Sequence, residues 1–110
     1  SIAGQSQLAI VQNGSITFER ISPEDFGLNR VPLDDIRGGT AAENADMVRS
    51  VLGGDAGPRT DVVLLNAAAG MLIADLVDDL HSGIELARDT IFSGRAIMKL
   101  DGLIALSNKL

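Results

Sequence analysis

The run from Val62 to Ala74 constrains the fold of this chain most, because it is apolar except at Asn66 and Gly70. Its thirteen residues fall short of the roughly 20 that a helix needs to cross a bilayer. We therefore predict a buried helix and no membrane span. A helix that is apolar on every side must be surrounded by other elements, since each exposed Å² of apolar surface costs about 25 cal/mol.

The small number of aromatic residues indicates the fold class. Aromatic side chains make up 3% of the 110 residues, with no Trp and no Tyr, so Leu, Ile, Val, Ala and Met must build the core. Such a core suits packed helices better than a β-sandwich, and the length suits one compact domain. We expect a mainly helical chain.

The net charge of −6 disfavours a nucleic-acid-binding role, because neutralising phosphates needs clustered Lys and Arg. The same negative net charge makes this segment a poor candidate for the main diphosphate-binding part. The absence of Cys removes disulfides, thiolate zinc sites and cysteine nucleophiles, and fits a reducing cytoplasm. No basic segment followed by an apolar one opens the chain, so a signal peptide is not expected.

A β-hairpin is predicted at the start of the chain. The β-prone runs Leu8–Val11 and Ser15–Phe18 are separated by Asn13-Gly14, a pair that tolerates the positive φ of a type I′ turn. This turn places Gln12 opposite Ser15, Val11 opposite Ile16 and Ala9 opposite Phe18. The other face, with Leu8 and Ile10, is also partly apolar. The ribbon should therefore be covered from more than one side or belong to a larger sheet.

Local signals then predict a single helical turn at 22–28, opened by Ser22-Pro23, and an irregular connector from Asn29 to Gly39. Thr40 and Glu43 match a capping box, in which each side chain satisfies a backbone N–H of the helix start. The helix that they open should run to about Leu52 and end at Gly53-Gly54.

Three further helices are expected. The apolar helix should run from Thr60 or Asp61 to about Val77, with Pro58 just before it. A capping box at Ser82 to Glu85 opens the next helix, which Gly94 ends. The last helix should extend from about Arg95 to Leu106. The predicted apolar stripes are Ile84, Ala87 and Ile91 on the third helix, and Ile97, Leu100 and Ile104 on the fourth.

Two features suggest that partners lie outside this chain. The apolar helix needs cover on all sides, but each of the other helices offers only one apolar stripe. The two-sided hairpin makes the same demand at the other end of the chain.

Few residues are candidates for chemistry. His81 is the only histidine and the chain has no Cys, so no multi-histidine metal site and no Cys-His site can form within it, and we expect His81 to be a polar residue at a helix junction. The pairs Asp34-Asp35 and Asp78-Asp79 could bind a hard cation, but adjacent carboxylates in loops are usually solvated.

The glycines of Arg37-Gly38-Gly39-Thr40 precede a helix, where free backbone N–H groups can receive an anion. We favour the simpler interpretation, in which the glycines permit a tight connector and Thr40 caps the helix. Asn66 is expected to hydrogen-bond to a neighbouring segment, and Gly70 to permit close helix packing.

Several short runs occur in a family-specific order and spacing. They are Pro23-Glu24-Asp25-Phe26-Gly27-Leu28, Arg37-Gly38-Gly39, Ala42-Glu43-Asn44-Ala45, Gly57-Pro58-Arg59, Leu64-Leu65-Asn66-Ala67-Ala68-Ala69 and Gly83-Ile84-Glu85-Leu86-Ala87-Arg88, followed by Ser93-Gly94 and Lys99-Leu100. Together they resemble the carboxy-terminal end of anthranilate phosphoribosyltransferases, and the likeness covers nearly the whole chain.

This resemblance implies transfer of a phosphoribosyl group from phosphoribosyl diphosphate to anthranilate, with magnesium, in tryptophan biosynthesis. It also implies a cytoplasmic homodimer with a small helical domain and a larger α/β domain. Residues 1–110 would form the carboxy-terminal portion of that α/β domain, with a hairpin at 1–21, a connector at 22–39 and a helical part at 40–110. The rest of the enzyme would then be the partner of this segment, with no nucleic acid and no membrane involved.

The family's glycine-rich diphosphate loop, its Lys-His-Gly-Asn-Arg stretch and its Asp-Glu magnesium pair precede the matched part, and none of them occurs here. No catalytic, cofactor-binding or metal-binding residue is therefore assigned, and the segment is expected to be inactive alone. Two alternatives stay open: a small helical protein-interaction module, and a related phosphoribosyltransferase-fold protein with another acceptor.

Overall fold

The computed structural model describes all 110 residues, which form a hairpin followed by four helices. The elements are β1 (Ser6–Gln12), β2 (Ser15–Ile21), α1 (Ala41–Leu52), α2 (Pro58–Ile73), α3 (Leu80–Phe92) and α4 (Arg95–Ser107), with short 3-10 turns at Pro23–Phe26 and Leu33–Ile36. The chain divides into two compact units, Ser1–Arg37 and Gly38–Leu110. None of the helices is both long enough and apolar enough to cross a membrane.

The hairpin confirms the predicted turn and register. Asn13 and Gly14 have φ values of 51° and 76°, and Val11 pairs with Ile16 as the two-residue turn requires. Both strands are longer than predicted, and the sheet has only these two strands. The face that carries Val11, Ile16 and Phe18 is exposed, with Val11 74% accessible. The expected cover of the ribbon is thus not supplied by this chain.

A small core closes the first unit. Ile2 and Leu28 are buried with Pro23, and the Val31 N–H donates to the Ile2 carbonyl at 3.1 Å. The predicted single turn is a 3-10 helix that ends at Gly27, where a φ of 69° suits glycine. The predicted irregular connector contains one further 3-10 turn, Leu33–Ile36.

The capping box of α1 is confirmed. Thr40 Oγ1 accepts from the Glu43 N–H at 3.3 Å, and the Glu43 carboxylate accepts from the Thr40 N–H at 2.7 Å. At the other end Gly54 has a φ of 98°, and its N–H donates to the Val51 carbonyl while the Asp55 N–H donates to Ser50. This left-handed glycine ends the helix after Leu52, as predicted.

The predicted limits of α2 were wrong at both ends. The helix begins at Pro58 itself and not after it. Proline suits the first helical position because the backbone N–H that it lacks would have no acceptor within the helix there. The helix ends at Ile73, four positions before Val77. Asp75 there has a φ of 56°, and the N–H groups of Asp75 and Leu76 donate back to Leu72 and Met71, which closes a left-handed cap.

The predicted capping box of α3 was also wrong. The helix begins at Leu80, and Asp79 caps it by accepting from the Ser82 N–H at 2.7 Å. Ser82 and Glu85 therefore lie inside the helix. Asp and Ser are equally good cap residues, so local sequence did not decide between two starts three residues apart.

The core of the second unit lies between α2 and α3, which pack closely against each other. It is formed by Leu64, Leu65 and Ala68 of α2, the predicted stripe Ile84, Ala87 and Ile91 of α3, and Val51 of α1. Helix α2 buries one side only. Its opposite flank is exposed at Val63 and Ile73, so the expected full cover is absent from this chain.

Gly83 is the residue that lets α2 and α3 approach. A Cβ on Gly83 would lie 2.8 Å from both Cα and Cβ of Ala68, which is fully buried. In α4, by contrast, only Ile97 and Leu100 of the predicted stripe are half-buried, and Ile104 is exposed together with Met98, Leu103 and Leu106.

We predict that Gly83→Ala lowers the free energy of unfolding by about 1–3 kcal/mol, because the added methyl overpacks the contact with Ala68. The control is Gly102→Ala in α4, where nothing lies within 4 Å of the added Cβ. That variant should gain up to about 1 kcal/mol from helix propensity. Denaturant unfolding of both proteins measures the difference, and shifts of the same sign would contradict the packing role of Gly83.

Candidate functional site

The glycine-containing loop before α1 was the strongest candidate for an anion site. One of its backbone donors is already bound to a side chain: the Gly39 N–H donates to Asn44 Oδ1 at 2.8 Å, and Asn44 Nδ2 donates to the Gly39 carbonyl at 3.1 Å. The Thr40 N–H is held by Glu43 as described. The predicted cap by Thr40 is confirmed.

The charge at this helix start also opposes an anion. The backbone N–H of Thr40, followed by its hydroxyl, holds the pKa of the Glu43 carboxyl below its ordinary value of 4.5. Glu43 is therefore a carboxylate near neutral pH and already complements the positive end of the helix dipole. A bound phosphate would have to displace both this carboxylate and the Asn44 side chain.

The two acidic pairs lie apart from any third ligand. Asp34 accepts from Arg37 Nη2 at 2.6 Å, and Asp35 is exposed beside it. Asp79 caps α3, and its hydrogen bond from the Ser82 N–H lowers the pKa of the Asp79 carboxyl below 3.8. No group of three or more His, Cys, Asp or Glu side chains in the chain could hold a metal ion. The carboxylates present here do not fit a magnesium site.

His81 lies in the first turn of α3 and is exposed, which agrees with the expected position at a helix junction. Its positive form would lie near Asp79, and this charge is one of the smaller causes that lower the pKa of that carboxyl. Its setting is that of an exposed residue in the first turn of a helix.

The predictions for Asn66 and Gly70 were wrong within this chain. Asn66 Nδ2 donates to the Val62 carbonyl of its own helix at 2.8 Å, and its side chain is exposed. Nothing lies within 4 Å of a Cβ built on Gly70. Gly83 makes the close helix contact that was expected of Gly70. Nothing in the sequence indicated this role, because Gly83 lay within a predicted capping box.

A cleft of 330 Å³ lies between α1 and the start of α2, and sequence reasoning did not identify it. Its polar side chains bond to the loop itself: Ser50 Oγ donates to Asp55 Oδ2 at 2.6 Å, and Thr60 Oγ1 donates to the Asp55 carbonyl. Asp46, Asp55 and Arg59 also line the cleft. The hydrogen bonds of Ser50 and Thr60 stabilise the loop at 53–57. The carboxylates of Asp46 and Asp55 make the cleft a poor site for a diphosphate, because like charges repel.

The pKa of one partly buried carboxyl, that of Asp61, is raised, unlike those of Glu43 and Asp79. Burial raises the pKa of Asp61 above its ordinary value of 3.8, and the positive charge of Arg88 opposes that shift. Asp61 lies in the first turn of α2 and Arg88 on α3, so this charge pair spans the same two helices that Gly83 brings together. Asp61 is thus a partly buried carboxyl that feels the positive charge of the neighbouring helix.

Comparison with known proteins gives the chain a family. The family model described as "Glycosyl transferase family, a/b domain" matches residues 1–97. The anthranilate phosphoribosyltransferase of Thermomicrobium roseum is 52% identical over 101 residues, covering 90% of this chain and 29% of the relative. That of Symbiobacterium thermophilum is 46% identical over 110 residues, covering 100% of this chain and 32% of the relative.

Two solved structures share the fold. Anthranilate phosphoribosyltransferase from Thermus thermophilus superposes with a TM-score of 0.84 at 36% identity, over 94% of this chain and 31% of that one. The enzyme from Saccharomyces cerevisiae, in complex with 4-fluoroanthranilate, has a TM-score of 0.87 at 25% identity, over 100% of this chain and 32% of that one. The chain thus spans about a third of the length of the relatives it matches.

The capping role of Glu43 makes a prediction for acid stability. Because the folded-state pKa of Glu43 is lowered, its contribution is fully present above pH 4.5 and is lost as the pH falls through the lower folded-state value. Glu43→Gln keeps a hydrogen-bond acceptor but removes the charge. The stability difference between wild type and Glu43→Gln, measured by denaturant unfolding, should shrink from pH 7 to about pH 3. A difference that does not change with pH would contradict this role.

Proposed function

Since this chain belongs to the glycosyl transferase family and matches its a/b domain, we propose that it is the carboxy-terminal part of an anthranilate phosphoribosyltransferase. In this assignment residues 1–21 are a hairpin, 22–39 a connector and 40–110 a helical part of the catalytic α/β domain. The observation that carries the proposal is the 52% identity to an anthranilate phosphoribosyltransferase over 90% of the chain.

The reaction proposed for the whole enzyme transfers a phosphoribosyl group from phosphoribosyl diphosphate to the amine of anthranilate. A bond forms between the amine nitrogen and the ribose carbon as diphosphate leaves, and the product enters tryptophan biosynthesis. The catalytic residues and the magnesium ligands of this reaction would lie in the preceding part of the enzyme. Magnesium, when bound there, would neutralise charge on the diphosphate.

The role proposed for these 110 residues is structural. The donors and acceptors of the candidate loop, the acidic pairs and the cleft serve caps, connectors and loop fastening within the chain. The net charge of −6 gives no advantage in holding an anionic substrate. We infer that the segment supports substrate-binding loops built by the rest of the enzyme, in the way a rigid scaffold holds a site.

The proposal extends to assembly and location. The rest of the same polypeptide is the principal partner, the complete enzyme is a homodimer, and it acts in the cytoplasm. The open apolar hairpin face and the open flank of α2 support the first of these statements, because both need cover that this chain does not supply.

The main competing assignment is a related enzyme that uses another acceptor in place of anthranilate. The family model describes glycosyl transferases in general, and the acceptor-binding part would lie outside this segment. A panel of aromatic amines and other acceptors, tested with phosphoribosyl diphosphate and the complete enzyme, separates the two. Turnover of anthranilate well above the other acceptors supports our assignment, and preference for another acceptor overturns it.

We predict that the isolated 110 residues do not catalyse phosphoribosyl transfer, since they carry none of the proposed catalytic groups. The assay follows consumption of anthranilate by fluorescence, with the complete enzyme as the positive control. Mixing the segment with the preceding portion of the enzyme should restore turnover. Transfer by the segment alone at a rate near that of the complete enzyme would contradict a structural role. A stable 11.5 kDa monomer that does not associate with the preceding portion would favour an independent interaction module.

A further inference from the structure

The tip of the hairpin presents the Asn13-Gly14 pair to solvent. Both residues are exposed, and so are Gln12 and Ser15, which form the last pair of the strand ladder before the turn. The positive φ values of the pair set it apart from the extended backbone of β1 and β2. Asparagine is a chemically labile residue, and an exposed tip tolerates a local change more readily than the strands do.

The Asn13 amide is not held by the fold. Two other asparagine side chains are fixed by hydrogen bonds: Asn44 bonds to both backbone groups of Gly39, and Asn66 donates to the Val62 carbonyl. The Asn13 side chain makes no such bond. Its amide carbon can therefore rotate toward the peptide group that follows it.

Gly14 leaves the following backbone nitrogen unhindered. It has no side chain, and nothing lies within 4 Å of a Cβ built on it. No backbone hydrogen bond of the turn uses its N–H. Asn29 provides the contrast, because it is also exposed in an irregular segment but is followed by the long side chain of Arg30.

We propose that the Asn13-Gly14 turn is a site of spontaneous deamidation and isomerisation, and that the isomerised product loses the turn that sets the hairpin register. The proposal does not depend on the function proposed above. It follows from an unrestrained amide lying next to an unhindered backbone nitrogen, an arrangement in which two reacting groups of the same chain are already close together.

The reaction needs only water. In a locally opened turn, the Gly14 nitrogen attacks the side-chain amide carbon Cγ of Asn13. A bond forms between these two atoms, the bond between Cγ and Nδ2 breaks, and the Gly14 amide proton leaves with that nitrogen as ammonia. Water then opens the resulting succinimide at either of its carbonyls, which gives aspartate or isoaspartate at position 13.

The two products affect the hairpin differently. Aspartate tolerates the left-handed conformation as asparagine does, so it keeps the turn and adds one negative charge to a chain of net charge −6. Isoaspartate carries the main chain through its side chain and so lengthens the turn by one backbone atom. The type I′ geometry is then lost, and with it the constraint that pairs Val11 with Ile16.

The first test compares two asparagines of the same sample. The complete protein is kept at physiological temperature and pH, and peptide mass mapping follows the conversion of amide to acid over time. We expect conversion at Asn13 to be at least ~10-fold faster than at Asn29, because the Arg30 side chain hinders the close approach that the attack requires.

The products identify the mechanism. An isoaspartate-specific methyltransferase should label the converted peptide, since only the succinimide route yields isoaspartate. Equal conversion at the two asparagines, or no conversion at Asn13, overturns the proposal. Conversion to aspartate alone shows direct hydrolysis of the side chain, which also overturns it.

A second measurement tests the loss of the turn. The isoaspartate form is separated by ion exchange, and its backbone hydrogen exchange is compared with that of the unmodified protein. The amides of Ile10 and Thr17, which face each other in the ladder, should exchange at least ~10-fold faster, because the hairpin opens more often. Unchanged exchange at these amides overturns the loss of the turn.

Two variants serve as controls for that measurement. Asn13→Gly removes the reacting amide and keeps a residue pair that suits a type I′ turn, so its exchange should stay constant on ageing. Asn13→Asp carries the charge of the first product with a normal backbone, and its exchange should match that of unmodified protein. Faster exchange in Asn13→Asp would assign the effect to charge and would overturn the role of the lengthened backbone.

Discussion

The packing of α2 on α3 is the contact on which the second unit depends. Leu64, Leu65 and Ala68 meet the Ile84, Ala87 and Ile91 stripe, and Gly83 removes the one Cβ that would hold the two backbones apart. The Asp61 and Arg88 charges span the same pair of helices. Once this contact forms, it fixes which side of α2 is buried, and therefore which side is left open.

The polar groups of the segment are largely committed to local structure. Glu43 and Asn44 complete the start of α1, Asp79 starts α3, and Ser50 fastens the loop through Asp55. Each of these bonds shapes a terminus or connector and none presents a reactive group to a ligand. The relatives that this chain matches extend well beyond these residues.

Structural features that depend on only a few neighbouring residues were predicted correctly. Asn13-Gly14 determines its turn and register, Thr40 and Glu43 cap α1, and Gly54 and Gly94 end their helices, because each depends on backbone preferences or on bonds three or four residues long. The wrong helix limits concern competing local signals. Asp79 was preferred over Ser82 as a cap, and Asp75 adopted a left-handed conformation that glycine more often takes.

The sequence alone determined that a strongly apolar helix exists, that the chain carries few candidates for chemistry and that its motifs resemble one family, since composition, periodicity and spacing contain that information. Only the tertiary structure decided which flank of α2 is covered, that Gly83 and not Gly70 lies at the close crossing, and that Asn66 bonds within its own helix. The physical reason is that an all-round apolar helix has no preferred face of its own. The surfaces that pack against it, brought together from distant parts of the chain, select one.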